Sequence, residues 1–118
     1  MALFSTTKLD LIIAEKRLKL ETQRQSLMTK TCQWLDEFAI EYGITQAYIF
    51  GSVTRAGKFH HNSDIDLAVE TINPEKHYLA ISLLSTYLER DVDLIKLDSC
   101  HFAHRIRQTG ILWTKTPS

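Results

Sequence analysis

Apolar residues along this chain recur first at a helical period and then at a strand period. Residues 5–42 contain no proline or glycine, and Ile13, Leu20, Leu27 and Trp34 return every seven positions, which predicts a long N-terminal helix. Ser5, Thr6 or Thr7 offers a cap at its start, and Gly43 offers a left-handed stop at its end. Trp34, Leu35, Phe38 and Tyr42 form a dense stripe that should pack on the core. The first half, interleaved with Lys16, Arg17, Lys19, Glu21 and Arg24, buries less and reads as an arm or a dimer helix. Lys16, Gln23 and Lys30 occupy seam positions, which argues against a regular coiled coil, and a break is expected near residues 29–31.

The pattern then shortens. Residues 47–50 (AYIF) read as a buried strand running into Gly51-Ser52, and residues 64–70 (DIDLAVE) alternate as a second strand, with a loop over 53–63 between them. Pro74 suits a first helical turn, and Leu79, Ile81, Leu83, Leu84, Tyr87 and Leu88 after it predict a well-buried helix. Residues 91–97 (DVDLIKL) are a third strand. Ser99 caps a short helix through Gln108 that Gly110 stops, and residues 111–113 make a last edge strand.

Composition narrows the class. With 118 residues, 44% hydrophobic and only 4 Gly and 2 Pro, the chain describes one folded domain with a real core and no long disordered tail. Lys plus Arg and Asp plus Glu are 14 each, so the net charge is zero and the basic footprint of a generic nucleic-acid binder is missing. An anionic ligand must be held by a local site. The acid-free segment 99–118, with Arg105, Arg107 and Lys115, reads as a solvated helix in preference to a surface for RNA or an acidic partner. Cys32 and Cys100 stand apart, which suits a reducing cytoplasmic setting without disulfide or zinc framework, and adjacent His60 and His61 read as solvated. Apolar groups such as 11–14 are too short for a leader or a membrane span.

The chemistry lies in Gly51-Ser52, then eleven residues, then Asp64-Ile65-Asp66, then Asp93 on a further strand. Residues two apart on a strand face the same way, so Asp64 and Asp66 present paired carboxylates while Ile65 and Leu67 face the core. Such pairs suit hard divalent cations, and two Mg2+ ions can polarise a phosphate and neutralise a leaving group. Asp93 would be the third ligand and a candidate base, with Asp91 in reserve. Gly51 lets backbone N–H groups approach a phosphate and Ser52 adds a donor at a short helix start. Arg55 and Lys58 on the same loop can neutralise phosphate charge. No GxxxxGK[ST] or GxGxxG pattern occurs.

The stretch from Tyr48 to Val69, with IFGSVTRAGKFHHNSDIDLAV at its centre, resembles the signature of the minimal nucleotidyltransferases of the DNA polymerase beta-like superfamily. Val92-Asp93-Leu94-Ile95 resembles their third acidic element, and Leu97-Asp98 and residues 110–113 are similar to the family's end; the loop reads Arg-Ala-Gly where Arg-Gly is usual. The resemblance implies an α/β (α+β) fold, a small mixed sheet flanked by helices, with an N-terminal helical extension over 1–33 and the nucleotidyltransferase domain over 34–118. It implies Asp64, Asp66 and Asp93 as catalytic metal ligands, Gly51, Ser52 and Arg55 as nucleotide contacts, Mg2+ as cofactor and ATP as substrate. It also implies a partner: such proteins act as antitoxins, moving AMP from ATP onto a tyrosine of a HEPN-type RNase toxin. No acceptor-holding domain follows Ser118, so another polypeptide or a second copy is expected to present the acceptor. The alternatives are an antitoxin that neutralises by binding alone and a transferase acting on a small molecule such as an aminoglycoside.

Overall fold

A helix of 37 residues, α1 (Ala2–Phe38), opens the computed structural model, which describes residues 2–115 of the chain and side chains from Thr7 onward. The helix starts at Ala2, so Ser5, Thr6 and Thr7 lie inside it and do not cap it, contrary to the sequence expectation. Nor does it break at residues 29–31. Thr31 is fully buried and its hydroxyl donates to the Leu27 carbonyl oxygen at 2.7 Å, so the polar group that suggested a break is satisfied one turn back. A 3-10 turn, Ala39–Tyr42, tightens the end, and Gly43 closes it at φ 74°, the left-handed conformation expected there. At 1.5 Å per residue, α1 accounts for the long axis of a molecule measuring 62 × 27 × 27 Å. Its first half is exposed, including Leu9, Leu11, Ile12, Ile13 and Leu18.

The remaining elements are β1 (Gln46–Phe50), β2 (Ile65–Val69), α2 (His77–Leu88), β3 (Val92–Lys96), α3 (Ala103–Thr109) and β4 (Ile111–Thr114). They build one mixed sheet in the order β3-β2-β1-β4. β1 pairs antiparallel with β2 and β4, while β2 and β3 are parallel and joined through α2, as a crossover connection requires. β4 lies at the sheet's edge, as its sequence predicts.

Strand alternation gives the sheet two apolar faces. One carries Ala47, Ile49, Leu67, Val69 and Leu94 against Leu27, Trp34 and Leu35 of α1 and Ala80, Leu84 and Leu88 of α2. Trp34 stacks on Tyr42 at 5.5 Å between ring centroids, so the predicted aromatic stripe is core. The other face is smaller, with Tyr48 and Ala68 against Ala103 and Ile106 of α3. α2 is less buried than its composition suggests, since Leu79, Leu83 and Tyr87 are exposed. It is apolar almost all round, but a helix lying on a sheet hides only one stripe, here Ala80, Leu84 and Leu88. α3 is anchored by Arg107, which donates to both carboxylate oxygens of Glu70 at 2.9 and 2.7 Å.

Candidate active site

The smaller face is where the acidic side chains collect. In the strand register Phe50 of β1 is opposite Asp66 of β2, and Asp66 is opposite Asp93 of β3, so the three stand in one row across the sheet. Alternation turns this row toward the side that carries α3, while the neighbours Ile65, Leu67 and Leu94 fill the main core. Asp66 is half-buried and Asp93 exposed. Burial pushes the Asp66 carboxyl up to about 6, and the negative charges of Asp93 and then Asp64 add to the shift.

Gly51 ends β1 directly against this row. It sits at φ 79° and ψ −157°, a conformation open to glycine, and a Cβ there would lie 2.1 Å from the Asp66 Oδ2. A 3-10 turn, Ser52–Thr54, follows, matching the short helix start read from the sequence. Its carbonyls are drawn inward: the Gly51 oxygen accepts from the Thr54 N–H at 3.1 Å and the Thr54 hydroxyl at 2.7 Å, and the Ser52 oxygen accepts from the Arg55 N–H at 3.1 Å. The N–H groups of Ser52 and Val53 precede the first of these turn bonds and are the ones a short helix leaves for an outside acceptor.

Beside this turn runs a groove of about 620 Å³ between Gly51-Ser52 and α3. Arg55, Lys58 and Arg105 line it together with Phe102 and Thr109. Phe102 is exposed, an aromatic ring open to a stacking partner. The structure thus brings Gly51, Ser52 and Arg55 into one groove and aligns Asp66 with Asp93. Asp64 stands just before β2 and borders a separate cleft with His61, Asn62, Arg90 and Asp91. Sequence reasoning missed Phe102, Arg105 and Thr109 as groove residues. Their one signal in the sequence is the acid-free run after Ser99, and they are solvent-exposed as that run suggests while also lining the groove.

The donor set is all carboxylate oxygen, the chemistry a hard divalent cation takes, and a cation would offset both the burial that chiefly raises the Asp66 carboxyl and the smaller repulsion from Asp93 and Asp64. Among the described residues no three His, Cys, Asp or Glu side chains close on a single ion position.

Residues 33–116 match the family described as "Polymerase beta, Nucleotidyltransferase". The chain belongs to the polymerase beta nucleotidyltransferase family. Its mixed four-stranded sheet with helices on both faces is the nucleotidyltransferase fold, and most of the long helix α1 precedes the matched residues. Two solved structures of this nucleotidyltransferase fold are similar to it. One is a chain of the toxin-antitoxin complex MntA-HepT, 25% identical, with a TM-score of 0.54 over 78% of this chain and 73% of that one. The other is a chain of a toxin-antitoxin with AMP-PNP, 31% identical, with a TM-score of 0.51 over 62% of each chain. No curated protein matches it. Among the described residues no helix is long and apolar enough to cross a membrane.

Proposed function

We propose that this nucleotidyltransferase moves AMP from ATP onto a tyrosine hydroxyl of a HEPN-type toxin and is the antitoxin of that pair. The observation that carries the reading is the Gly51-Ser52 turn packed against the Asp66–Asp93 row beside a groove lined by Arg55, Lys58 and Arg105. Two similar structures support the partner and the nucleotide: both are toxin-antitoxin complexes, and one holds AMP-PNP, an analogue of ATP.

In this reading Asp66 and Asp93, aligned across the sheet, would hold Mg2+ together with Asp64 from the end of the approach to β2, and the cation would offset charge on the triphosphate and on the departing pyrophosphate. The Ser52 and Val53 N–H groups and the three cations orient the phosphates, and Phe102 stacks on the base. The tyrosine oxygen attacks the α-phosphorus, the bond from that phosphorus to the β-phosphate bridging oxygen breaks, and pyrophosphate leaves. Asp93, exposed to solvent, takes the tyrosine proton. Positioning and electrostatics supply most of the rate in such transfers, so few side chains are needed. The division at residues 33 and 34 belongs to the same reading, as does a cytoplasmic setting.

The test is to mix the protein, its toxin partner and Mg-ATP and weigh the partner by intact mass spectrometry. A gain of one or more AMP masses, lost in Asp66→Asn, is expected. A tight complex with no mass gain would leave neutralisation by binding alone, and labelling of an aminoglycoside in place of the toxin would move the acceptor to a small molecule.

A further inference from the structure

The loop over residues 53–63 joins the two halves of the site, and two arginines from outside the Gly-Ser and Asp-Ile-Asp signature grip its ends. At the first end, Arg24 of α1 donates through Nη1 to the Val53 carbonyl oxygen at 3.0 Å. Its Nε donates to Glu21 Oε2 at 2.8 Å, so the guanidinium is held flat from its own helix while it reaches across. Val53 is the middle residue of the 3-10 turn, and its carbonyl accepts from Arg24 of α1. At the second end, Arg90 donates through Nη1 to the Ser63 carbonyl oxygen at 2.8 Å and to that of His60 at 3.2 Å. Its guanidinium also lies 4.8 Å over the ring of buried Phe59.

Arg90 is itself fixed before it reaches the loop. Glu89 turns the chain off α2 in the left-handed conformation, at φ 54°. The Arg90 N–H then donates to the Ser85 oxygen at 3.2 Å, and the Ser85 hydroxyl donates back to the Arg90 oxygen at 2.8 Å. The next residue, Asp91, accepts from the Ile65 N–H at 2.9 Å, so Arg90 is rigidly placed beside the chain that enters β2. Between the two grips Arg55, Ala56, Gly57 and Lys58 are exposed, and nothing lies within 4 Å of a Cβ built on Gly57.

The geometry points to Arg24 and Arg90 as positioning residues that clamp the two ends of this loop, Arg24 setting the phosphate turn and Arg90 setting Asp64, while the tip with Arg55 and Lys58 stays free to settle on a nucleotide. This rests on the transferase reading above. Neither arginine touches the reacting atoms; each acts through a backbone carbonyl next to a group that does. The two ends do different work, so the two losses differ. Loosening the turn weakens phosphate binding, and loosening the approach to Asp64 misplaces a reactive group, where about 1 Å of error can cost on the order of 100-fold.

The experiment compares the full chain with Arg24→Gln, Arg90→Gln, Arg24→Lys and Arg90→Lys. Amide hydrogen exchange over residues 53–63 is measured without nucleotide, and pyrophosphate release is followed with Mg-ATP and the acceptor that the wild type labels. Arg24→Gln is expected to raise KM for ATP roughly ten-fold with kcat within about two-fold, and Arg90→Gln to lower kcat roughly ten-fold with KM within about two-fold. Each glutamine variant should speed exchange at its own end of the loop, and each lysine, which keeps one donor, should recover part of both effects. Wild-type exchange and kinetics in both glutamine variants would overturn the clamp. So would exchange raised across the whole chain with kcat and KM falling alike in both, because that is loss of stability rather than positioning. An inactive wild type would sink the transferase reading, and exchange confined to the loop ends would still decide whether the arginines clamp it.

Discussion

Gly51 and Asp66 interlock: the space a side chain would need at Gly51 is taken by the Asp66 carboxylate, 2.1 Å from where the Cβ would sit. The glycine is also at φ 79°, so alanine there meets both a steric clash and backbone strain. Gly51→Ala should cost about 1–3 kcal/mol in urea unfolding and abolish transfer. In an Asp66→Ala background the same substitution should cost less stability, because the clash is removed and the strain is left.

Asp93 and Asp91 are separated by the strand register. Asp93 is the Cα partner of Asp66, whereas Asp91 precedes β3 and borders the cleft with Asp64. Asp93→Asn should reduce labelling of the partner by at least about 100-fold, and Asp91→Asn by less than about three-fold, at unchanged melting temperature. Equal losses in the two would show that the register argument picked the wrong carboxylate.

Asp66 makes a pH-dependent contribution of known sign. Its carboxyl titrates at about 6 in the folded protein against an ordinary 3.8, so between those values the folded state holds the extra proton. Stability therefore falls as pH rises through that window and stays lower above it. Without added divalent cation, Asp66→Asn should stabilise the protein at pH 7 by on the order of 1 kcal/mol after solvent screening, and should flatten the slope between pH 4 and 6.

Glu70 behaves in the opposite sense. The Arg107 guanidinium holds its carboxyl below the ordinary 4.5, with the Tyr48 hydroxyl a smaller contributor. The stabilisation is complete above the ordinary value and is lost as pH falls through the lowered one. Arg107→Gln should lower the melting temperature at pH 7 and make little difference at strongly acid pH.

Trp113 of β4 donates its indole N–H to Asp36 of α1 at 2.8 Å. This ties the N-terminal helix to the sheet's edge. Asp36→Ala leaves a nearly buried indole donor without its partner and should cost about 1–2 kcal/mol in chemical denaturation.

Much of this was legible in the chain because it depends on neighbours in sequence. Gly43 as a helix stop, Asp64-Ile65-Asp66 with its alternating core residue, and Gly51-Ser52 at a strand's end all follow from local period and backbone freedom. What was not legible depends on distance. Thr31 reads as a breaker because the sequence alone does not show its hydroxyl bonded one turn back to Leu27. Leu79, Leu83 and Tyr87 looked buried because composition cannot say which stripe of an apolar helix meets the sheet. Arg105 is exposed as the acid-free run suggests, but that it and Phe102 line a groove with Ser52 depends on where α3 packs. Arg24 and Arg90 act on carbonyls about thirty residues away, a pairing that no periodicity encodes.

The parallel pairing of β2 with β3 has a further bearing on how such a protein comes to be active. A slip of one residue between these strands would turn Asp93 away from Asp66 and, at the same stroke, lift Leu94 out of the main apolar cluster. The oily side of the sheet thus acts as proofreader for the acidic side. A chain that has collapsed correctly has already aligned its carboxylates, and one that has misaligned them leaves apolar surface in water.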